Sequence, residues 1–309
     1  MAYSVRTVGL PRETPVLDSA GDLLLRCVGE VANSVVTQTS ARDADLTIIH
    51  PYHFPFTSTA AGSALESIGR LAPIESNPDA LLRRIYGIPA KSAILAVSHE
   101  NLDRRPWQAF GNLIRKGSVP RLTFWPHEID PGGFRFPYWW NYVDWPELPR
   151  SFSAVRNNFG RLYNLTELIE PQIVKSELDR RQNRAVWLTR HRDFPREPIH
   201  IELEKSVPVD VVGNLAFGQK AQVLSRYRYC VVTENSTGYG YETEKLPDAK
   251  SAGCIPIGHV PNPLGDFNAR SAYFRPPEEL PDVLPPMLNE RPLLSGLLDY
   301  LSLVLDRQR

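Results

Sequence analysis

The segment Glu234–Lys245 carries the residues whose types and spacing are best suited to bind a phosphorylated ligand. Lys245 would lie in the first turn of a helix, where free backbone N–H groups and the helix dipole already favour an anion. A cation there opposes the dipole unless a phosphate lies between them. Glu244 could accept hydrogen bonds from ribose hydroxyls, and Gly238 and Gly240 would let the backbone approach a ligand closely. These residues predict a nucleoside diphosphate site, with an ordinary loop bearing a surface Glu-Lys pair as the alternative.

The surrounding residues predict the elements that must position this segment. The β-branched run Tyr229–Thr233 is typical of a buried strand. Thr243 can cap a helix that extends to about Ala252. Gly253 suits a left-handed turn after that helix, and Cys254–Ile257 predicts a returning strand. The result is a β-α-β unit whose loop lies at the carboxyl end of a strand, where open α/β sheets bind ligands.

Short apolar runs alternate with helix-like stretches along the chain, which favours parallel α/β layers. An aromatic and proline-punctuated region, Phe134–Pro149, interrupts the alternation and predicts two α/β halves facing a cleft, residues 1–150 and 151–309. The predicted strands are Leu46–His50, Ala93–Ser98, Arg121–Trp125, Ala185–Thr189, Val209–Val212 and Tyr229–Thr233. The predicted helices are Ser63–Leu71, Pro78–Tyr86, Trp107–Lys116, Tyr163–Arg181, Ala221–Arg226 and a closing amphipathic helix at Pro292–Asp306.

Composition narrows the class of protein. The 35 basic and 35 acidic residues cancel, so net charge gives no indication of nucleic-acid binding. No run approaches the roughly 20 apolar residues of a membrane-spanning helix, and the first residues do not resemble a signal peptide. Three cysteines without C-x-x-C spacing argue against a disulfide framework. We therefore expect a cytoplasmic protein with no nucleic-acid partner and no integral membrane segment.

The stretch ENSTGYGYETEKL, followed by DA and by AG and IPI, resembles the donor-binding signature of the α-1,3/1,4-fucosyltransferases, glycosyltransferase family 10, in their bacterial type. The resemblance implies a GT-B fold, with two Rossmann-like α/β domains facing a cleft. It also implies transfer of fucose from GDP-fucose with inversion at the anomeric carbon, without a metal or other cofactor. On that likeness four residues would hold the GDP moiety: Asn235, Tyr241, Glu244 on the ribose and Lys245 on the phosphates.

Two further stretches support the resemblance. Residues 99–106, HENLDRRP, resemble the family's G-E-N-x-R-P segment, and residues 135–140, RFPYWW, resemble its R-x-P-Y-W tract. The family implies that Glu100 is the general base, which removes the proton of the acceptor hydroxyl. It also places an arginine on the donor phosphates. Arg196 is the preferred equivalent here and Arg190 the next.

Other interpretations remain open. His99 replaces the first glycine of the family segment, and the stretch between Asn101 and the Arg-Pro pair is longer than in that segment, which permits a non-catalytic GDP-sugar-binding or carbohydrate-binding homologue. Glu234 and Glu242 have the E-x7-E spacing of retaining GT-B transferases. On the acceptor side, sequence position suggests His53, Tyr138 and Trp139, although ordinary packing explains aromatic residues equally well.

One metal-binding motif is present but badly placed. Asp43-Ala44-Asp45 is a literal D-x-D, whose carboxylates could hold a metal and a diphosphate. It precedes the predicted strand Leu46–His50, whereas such a site belongs at the strand's carboxyl end. We therefore expect no metal site there.

Overall fold

Two parallel sheets, one in each half of the chain, form the framework of the molecule. The structure is a computed structural model, and it describes residues 2–8, 19–53, 77–149, 157–173, 175–190, 196–260 and 264–306. The α/β class with parallel sheets, which the alternation of apolar runs predicted, is confirmed. Within the described residues no helix is both long and apolar enough to cross a membrane.

The first sheet has six parallel strands in the order β2-β1-β3-β4-β5-β6. Its central strands β3 and β4 are wholly buried, as their continuous apolar sequences predicted. The strands are β1 (Tyr3–Val8), β2 (Val36–Gln38), β3 (Leu46–Ile49), β4 (Ala93–Val97), β5 (Arg121–Thr123) and β6 (Phe134–Arg135). The helices of this half are α1 (Ser19–Ala32), α2 (Pro78–Tyr86) and α3 (Gln108–Lys116).

The second sheet has four parallel strands in the order β11-β10-β12-β13. Because neighbouring parallel strands end at the same edge, the loops after β10 and β12 lie side by side. The strands are β10 (Gln182–Leu188), β11 (Val209–Val212), β12 (Tyr227–Thr233) and β13 (Ile255–His259). The helices that accompany them are α6 (Arg196–Glu204), α7 (Lys220–Leu224) and α8 (Lys245–Ser251).

Short elements and aromatic side chains join the two halves. A 3-10 helix over Tyr138–Tyr142 leads into this region, where Tyr142 and Tyr163 stack with ring centroids 5.6 Å apart. The elements are β7 (Val143–Asp144), β8 (Tyr163–Asn164), α4 (Leu165–Ile169), β9 (Gln172–Ile173), α5 (Lys175–Leu178) and β14 (Val283–Leu284), in which β7 pairs with β8 and β9 with β14.

The closing helix that the leucine spacing predicted is confirmed as α9 (Ser295–Asp306). Its buried face includes Leu297 and Leu301, and it packs on α1 and β4 of the first half. Tyr300 Oη accepts a hydrogen bond of 2.9 Å from the backbone N–H of Arg121. The chain therefore returns to the first sheet after it has completed the second.

One helix predicted from the sequence is wrong. Tyr163–Arg181 was expected to be continuous, but it contains β8, α4, β9 and α5 in succession. Pro171 has no backbone N–H and cannot continue a helix, and the residues after it pair with β14 instead. The helical periodicity therefore arises from two short helices, one on either side of the proline, and not from one continuous helix.

Other differences lie mostly at the N-terminus. β1 and α1 had no sequence prediction, because β1 mixes Arg6 and Thr7 with its apolar residues and has only Val5 fully buried. The predicted helix Ser63–Leu71 lies outside the described residues. The boundary predicted near residue 150 falls at the start of a stretch, 150–156, that also lies outside them.

Candidate functional site

The loop after β12 is held in place by a buried carboxylate, Glu234. Its Oε1 accepts a hydrogen bond of 2.9 Å from the backbone N–H of Thr243, and its Oε2 lies 2.6 Å from Lys245 Nζ. The sequence predicted that Thr243 caps the following helix, α8, but in the structure it does not. The N-cap residue is Glu244, which makes no side-chain capping bond. The Glu234 carboxylate takes over the N–H group and at the same time fixes the ammonium of Lys245.

The two glycines of this loop allow a close contact between the halves. At Gly240 the backbone has a φ of 83°, and an added Cβ would lie 2.7 Å from the carbonyl oxygen of Phe124 in the loop after β5. At Gly238 a Cβ would lie 2.9 Å from Asn101 Nδ2, in the loop after β4. The close approach that the structure shows is to the first half of the chain, and the approach of a ligand stays a prediction.

Glu244 belongs to a buried network that the sequence did not indicate. Lys220 Nζ lies 2.7 Å from Glu244 Oε1 and 2.9 Å from Asp248 Oδ2, and Tyr163 Oη donates to Asp248 at 2.6 Å. Burial alone would raise the pKa of Glu244, but Lys220 and Lys245 outweigh it and hold that pKa at about 2. For Asp248 burial prevails, and its pKa rises to about 6.

Asn235 and Tyr241 lie next to each other in the loop between β12 and α8, residues 234–244, which we call the donor loop after its predicted role. Tyr241 Oη donates a hydrogen bond of 3.1 Å to Asn235 Oδ1, and the Tyr241 ring meets Phe124 edge-on at 5.4 Å. Burial raises the pKa of Tyr241, and the negative charges of Glu234 and Glu100 raise it further. Tyr241 is therefore within electrostatic range of both carboxylates, one from each half of the chain.

Glu100 lies just beyond the carboxyl end of β4, as predicted, and is partly exposed. Tyr52, in a 3-10 helix after β3, donates a hydrogen bond of 2.5 Å to Glu100 Oε1. Burial and the adjacent carboxylate raise the pKa of Tyr52, so the phenol keeps its proton and remains the donor. The sequence did not indicate the bond between Tyr52 and Glu100, although Tyr52 lies two residues after His50, at the end of a predicted strand.

The segment that carries Glu100 is bound directly to the donor loop. Asn101 Nδ2 donates to Ser236 Oγ at 2.6 Å and to the carbonyl of Thr237 at 3.0 Å. Arg104 Nη1 donates to the carbonyl of Asn235 at 2.9 Å. These bonds place Glu100 and the donor loop on one cleft between the two sheets.

The two candidate arginines lie at the carboxyl end of β10, beside the donor loop on β12. Arg196, the preferred one, begins α6, is only 8% exposed and donates to Thr189 Oγ1 at 2.8 Å. Arg190 is exposed and donates to the carbonyl of Gly213 at 3.3 Å. Arg190 is thus the more accessible of the two, and Arg196 is held against its own strand.

The acceptor-side residues fall into three different environments. Only the backbone of His53 is described, in the 3-10 helix Pro51–His53. Tyr138 is partly buried, with its ring 4.8 Å from His99 and its hydroxyl 3.0 Å from Tyr142 Oη. Trp139 is 1% exposed, so the structure assigns it to the core rather than to a surface on which a sugar could stack.

Asp45 of the D-x-D motif and two histidines of the first half are part of the packed structure. Burial lowers the pKa of His50 to about 3 and that of His99 to about 4, so both imidazoles are neutral. Asp45 lies before β3, at the amino end as predicted, and accepts from Ser4 N and Oγ at 2.7 Å. Among the described residues no group of three or more His, Cys, Asp or Glu side chains could hold a metal ion.

Comparisons with known proteins bear on the fold. No family model matches the chain, and no curated protein matches it in sequence. Among the solved structures that are similar to it, three are described as α1,3-fucosyltransferase. The first is 14% identical over 99% of this chain and 81% of its own, with a TM-score of 0.49. A second, with GDP, is 13% identical with the same coverage and a TM-score of 0.48.

The third, with GDP-fucose, is 13% identical over 99% of this chain and 90% of its own, with a TM-score of 0.51. At this identity the likeness concerns the fold alone. It agrees with the two parallel sheets and with the cleft between their loops. The GT-B architecture expected from the sequence signature is therefore the fold of this chain.

Proposed function

We propose that this protein is an inverting glycosyltransferase that moves fucose from GDP-fucose to a hydroxyl group of a glycan acceptor. The observation that carries the proposal is the docking of the Glu100 segment on the donor loop, through Asn101 and Ser236. It holds the segment that carries the Glu100 carboxylate in one half against the loop that carries Lys245 in the other. An inverting transfer requires those two groups, a base for the acceptor and charge stabilisation for the leaving diphosphate.

Glu100 is proposed as the base. Its carboxylate takes the proton of the acceptor hydroxyl as that oxygen bonds to the anomeric carbon and the bond to the GDP oxygen breaks. Tyr52 donates to Oε1 of Glu100, so Oε2 is the oxygen that would receive the proton. Tyr52 is a positioning residue, because it fixes the carboxylate without touching the reacting atoms.

Lys245 is proposed to stabilise the negative charge of the departing GDP. An ammonium has three hydrogens. Two of those on Lys245 are directed at Glu234 Oε2 and Thr243 Oγ1, at 2.6 and 2.8 Å. The third hydrogen remains for a phosphate oxygen. Arg190 is proposed in place of Arg196 as the arginine on the same phosphates, because it is exposed at the neighbouring strand end and a guanidinium can bind phosphate in a bidentate manner.

Glu244 is proposed to contact the ribose through one oxygen. Lys220 binds Oε1, which leaves Oε2 as the acceptor for a ribose hydroxyl. Because Lys220 and Lys245 keep the pKa of Glu244 at about 2, the carboxylate is ionised at every pH at which the protein would work. Its role as an acceptor is therefore constant with pH.

Glu234 and Glu242 have the spacing found in retaining transferases, but their surroundings in the structure argue against that alternative. Glu234 is bonded to Thr243 and Lys245. Glu242 is 2% exposed, and burial together with Asp266 raises its pKa to about 9. Neither is placed as a free carboxylate facing a sugar, which supports the inverting mechanism.

The test is a transfer assay with GDP-fucose and a panel of glycans with different terminal sugars. Glu100→Gln should remove transfer, since an amide cannot take a proton, and calorimetry should show GDP binding within about twofold of the unchanged protein. Glu128→Gln is a matched control at an exposed position in the same half and should be fully active. Full transfer by Glu100→Gln would overturn the assignment of the base.

A further inference from the structure

A cavity of about 440 Å³ lies between the two halves, and neither Glu100 nor any residue of Glu234–Lys245 lines it. Its size is within the range of small-molecule sites. The first half contributes residues from β6 and the 3-10 helix after it, and the second half contributes the stretches around residues 265 and 290. The residues that determine its chemistry are Arg135, Trp140, Asp266, Asn289, Glu290 and Arg291.

The wall of this cavity contains a rigid aromatic face. Trp140 is partly exposed, and four aromatic rings surround it with centroids 5.3 to 6.4 Å away. The carbonyl oxygen of Trp140 also accepts a hydrogen bond of 3.0 Å from Trp145 Nε1. The indole is therefore held in one orientation, so a flat apolar ligand face can pack on it without loss of side-chain freedom.

Two buried donors on the same wall have no acceptor within the described parts of the chain. They are the indole Nε1 of Trp139 and the guanidinium Nε of Arg135. Buried donors are nearly always paired, so each calls for an oxygen that the protein itself does not provide. The cavity thus suits a ligand with several acceptor oxygens.

The two arginines of the cavity are each paired with a carboxylate. Arg135 Nη2 lies 2.6 Å from Asp266 Oδ2, and Arg291 Nη2 lies 2.8 Å from Glu147 Oε1. Burial and the neighbouring Asp266 raise the pKa of the Glu242 carboxyl, which lies beside Arg135. An anion such as a phosphate would have to break these pairs, whereas an uncharged polyol would not.

We propose that this cavity binds a neutral saccharide, as a recognition site for a part of the acceptor glycan away from the reacting hydroxyl. Sugar rings combine an apolar face, which stacks on an indole, with hydroxyl oxygens that accept from Trp139 and Arg135. The assignment to the acceptor rests on the proposed transferase function. The saccharide site itself rests on the cavity alone.

The probe is an array of neutral and anionic oligosaccharides, applied to the whole chain. The unchanged protein should bind a subset of neutral glycans, and Trp140→Leu should weaken that binding by about tenfold or more. Glu290→Ala, at the exposed rim, should weaken it severalfold while the fold is preserved. Glu278→Ala, an exposed carboxylate away from the cavity, is the control and should bind as before.

GDP binding measured on each variant separates the two proposals. Saccharide binding that depends on Trp140 and Glu290, in a protein that neither binds GDP nor transfers fucose, would support the site and reject the transferase. Transfer that continues with unchanged KM for every acceptor in both variants, together with unchanged array binding, would reject the site. Selective binding of anionic glycans would also reject it.

Discussion

Lys220 supports the site from behind, and we expect its replacement to lower the free energy of unfolding strongly. Its ammonium lies between two buried carboxylates, Glu244 and Asp248, at 2.7 and 2.9 Å. The change Lys220→Met leaves both carboxylates in place without their cation. A pKa of Glu244 that falls from 4.5 to about 2 corresponds to roughly 3 kcal/mol. We expect Lys220→Met to lower the free energy of unfolding by about 3–5 kcal/mol at pH 8.

The pH dependence of this loss identifies its cause. In the unchanged protein the pKa of Glu244 is depressed, so its contribution is complete above pH 4.5 and is lost only as the pH falls towards 2. In Lys220→Met the buried carboxylates would take up protons near neutral pH. The deficit should therefore shrink between pH 8 and pH 5, as measured by urea unfolding at several pH values.

The matched control is Lys205→Met. Lys205 pairs with Glu202 at 2.6 Å, but its side chain is 66% exposed, so its removal should cost less than about 1 kcal/mol at either pH. A deficit for Lys220→Met no larger than that of Lys205→Met would refute the reasoning. So would a deficit that grows as the pH falls.

Two further substitutions test contacts at the cleft. Tyr52→Phe removes the hydrogen bond to Glu100, and we expect kcat to fall about tenfold with GDP affinity unchanged, since one charge-assisted bond contributes about 1.5–3 kcal/mol; an unchanged kcat would remove Tyr52 from the mechanism. Gly240→Ala places a Cβ 2.7 Å from the Phe124 carbonyl at a φ of 83°, whereas Gly265→Ala, at a φ of 72°, meets no atom within 4 Å. Thermal unfolding should show a loss of about 1–2 kcal/mol for Gly265→Ala and clearly more for Gly240→Ala, and equal losses would contradict the close approach.

Much of the fold could be predicted because buried parallel strands carry a strong local signal. β3 and β4 are short, mainly apolar runs that are buried throughout, and the structure has them within a residue of the predicted bounds. β10 begins three residues earlier than predicted, at Gln182, because its first residues are polar and partly exposed. Apolar periodicity indicates burial, so polar residues at the exposed end of a strand give no such signal.

The candidate site was predicted less completely, since its contacts join residues far apart in the chain. The sequence indicated Glu100, Asn235, Tyr241 and Lys245, and the structure brings them to one cleft. It did not indicate Lys220, a single lysine in a five-residue helix 24 residues before Glu244. Long-range ion pairs such as this one leave no local spacing that sequence analysis could detect.

The glycines of the donor loop show a second limit of sequence reasoning. Gly238 and Gly240 were predicted to let a ligand approach the backbone closely, because only a residue without a Cβ permits such an approach. The pattern does not say what approaches. The structure identifies Asn101 and the Phe124 carbonyl as the neighbours.

The central claim is that the loop Glu234–Lys245 binds a guanosine diphosphate sugar, and thermal unfolding with added nucleotides tests it most directly. The unchanged protein would be heated with GDP, GDP-fucose, GDP-mannose, UDP or UDP-glucose, in the presence of a chelator. A nucleotide at 100 times its Kd should stabilise the protein by about 2.7 kcal/mol. We predict a rise in Tm with the guanosine compounds, largest for GDP-fucose, which Lys245→Ala should reduce. A rise with the uridine compounds alone, or no rise with any nucleotide, would contradict the claim.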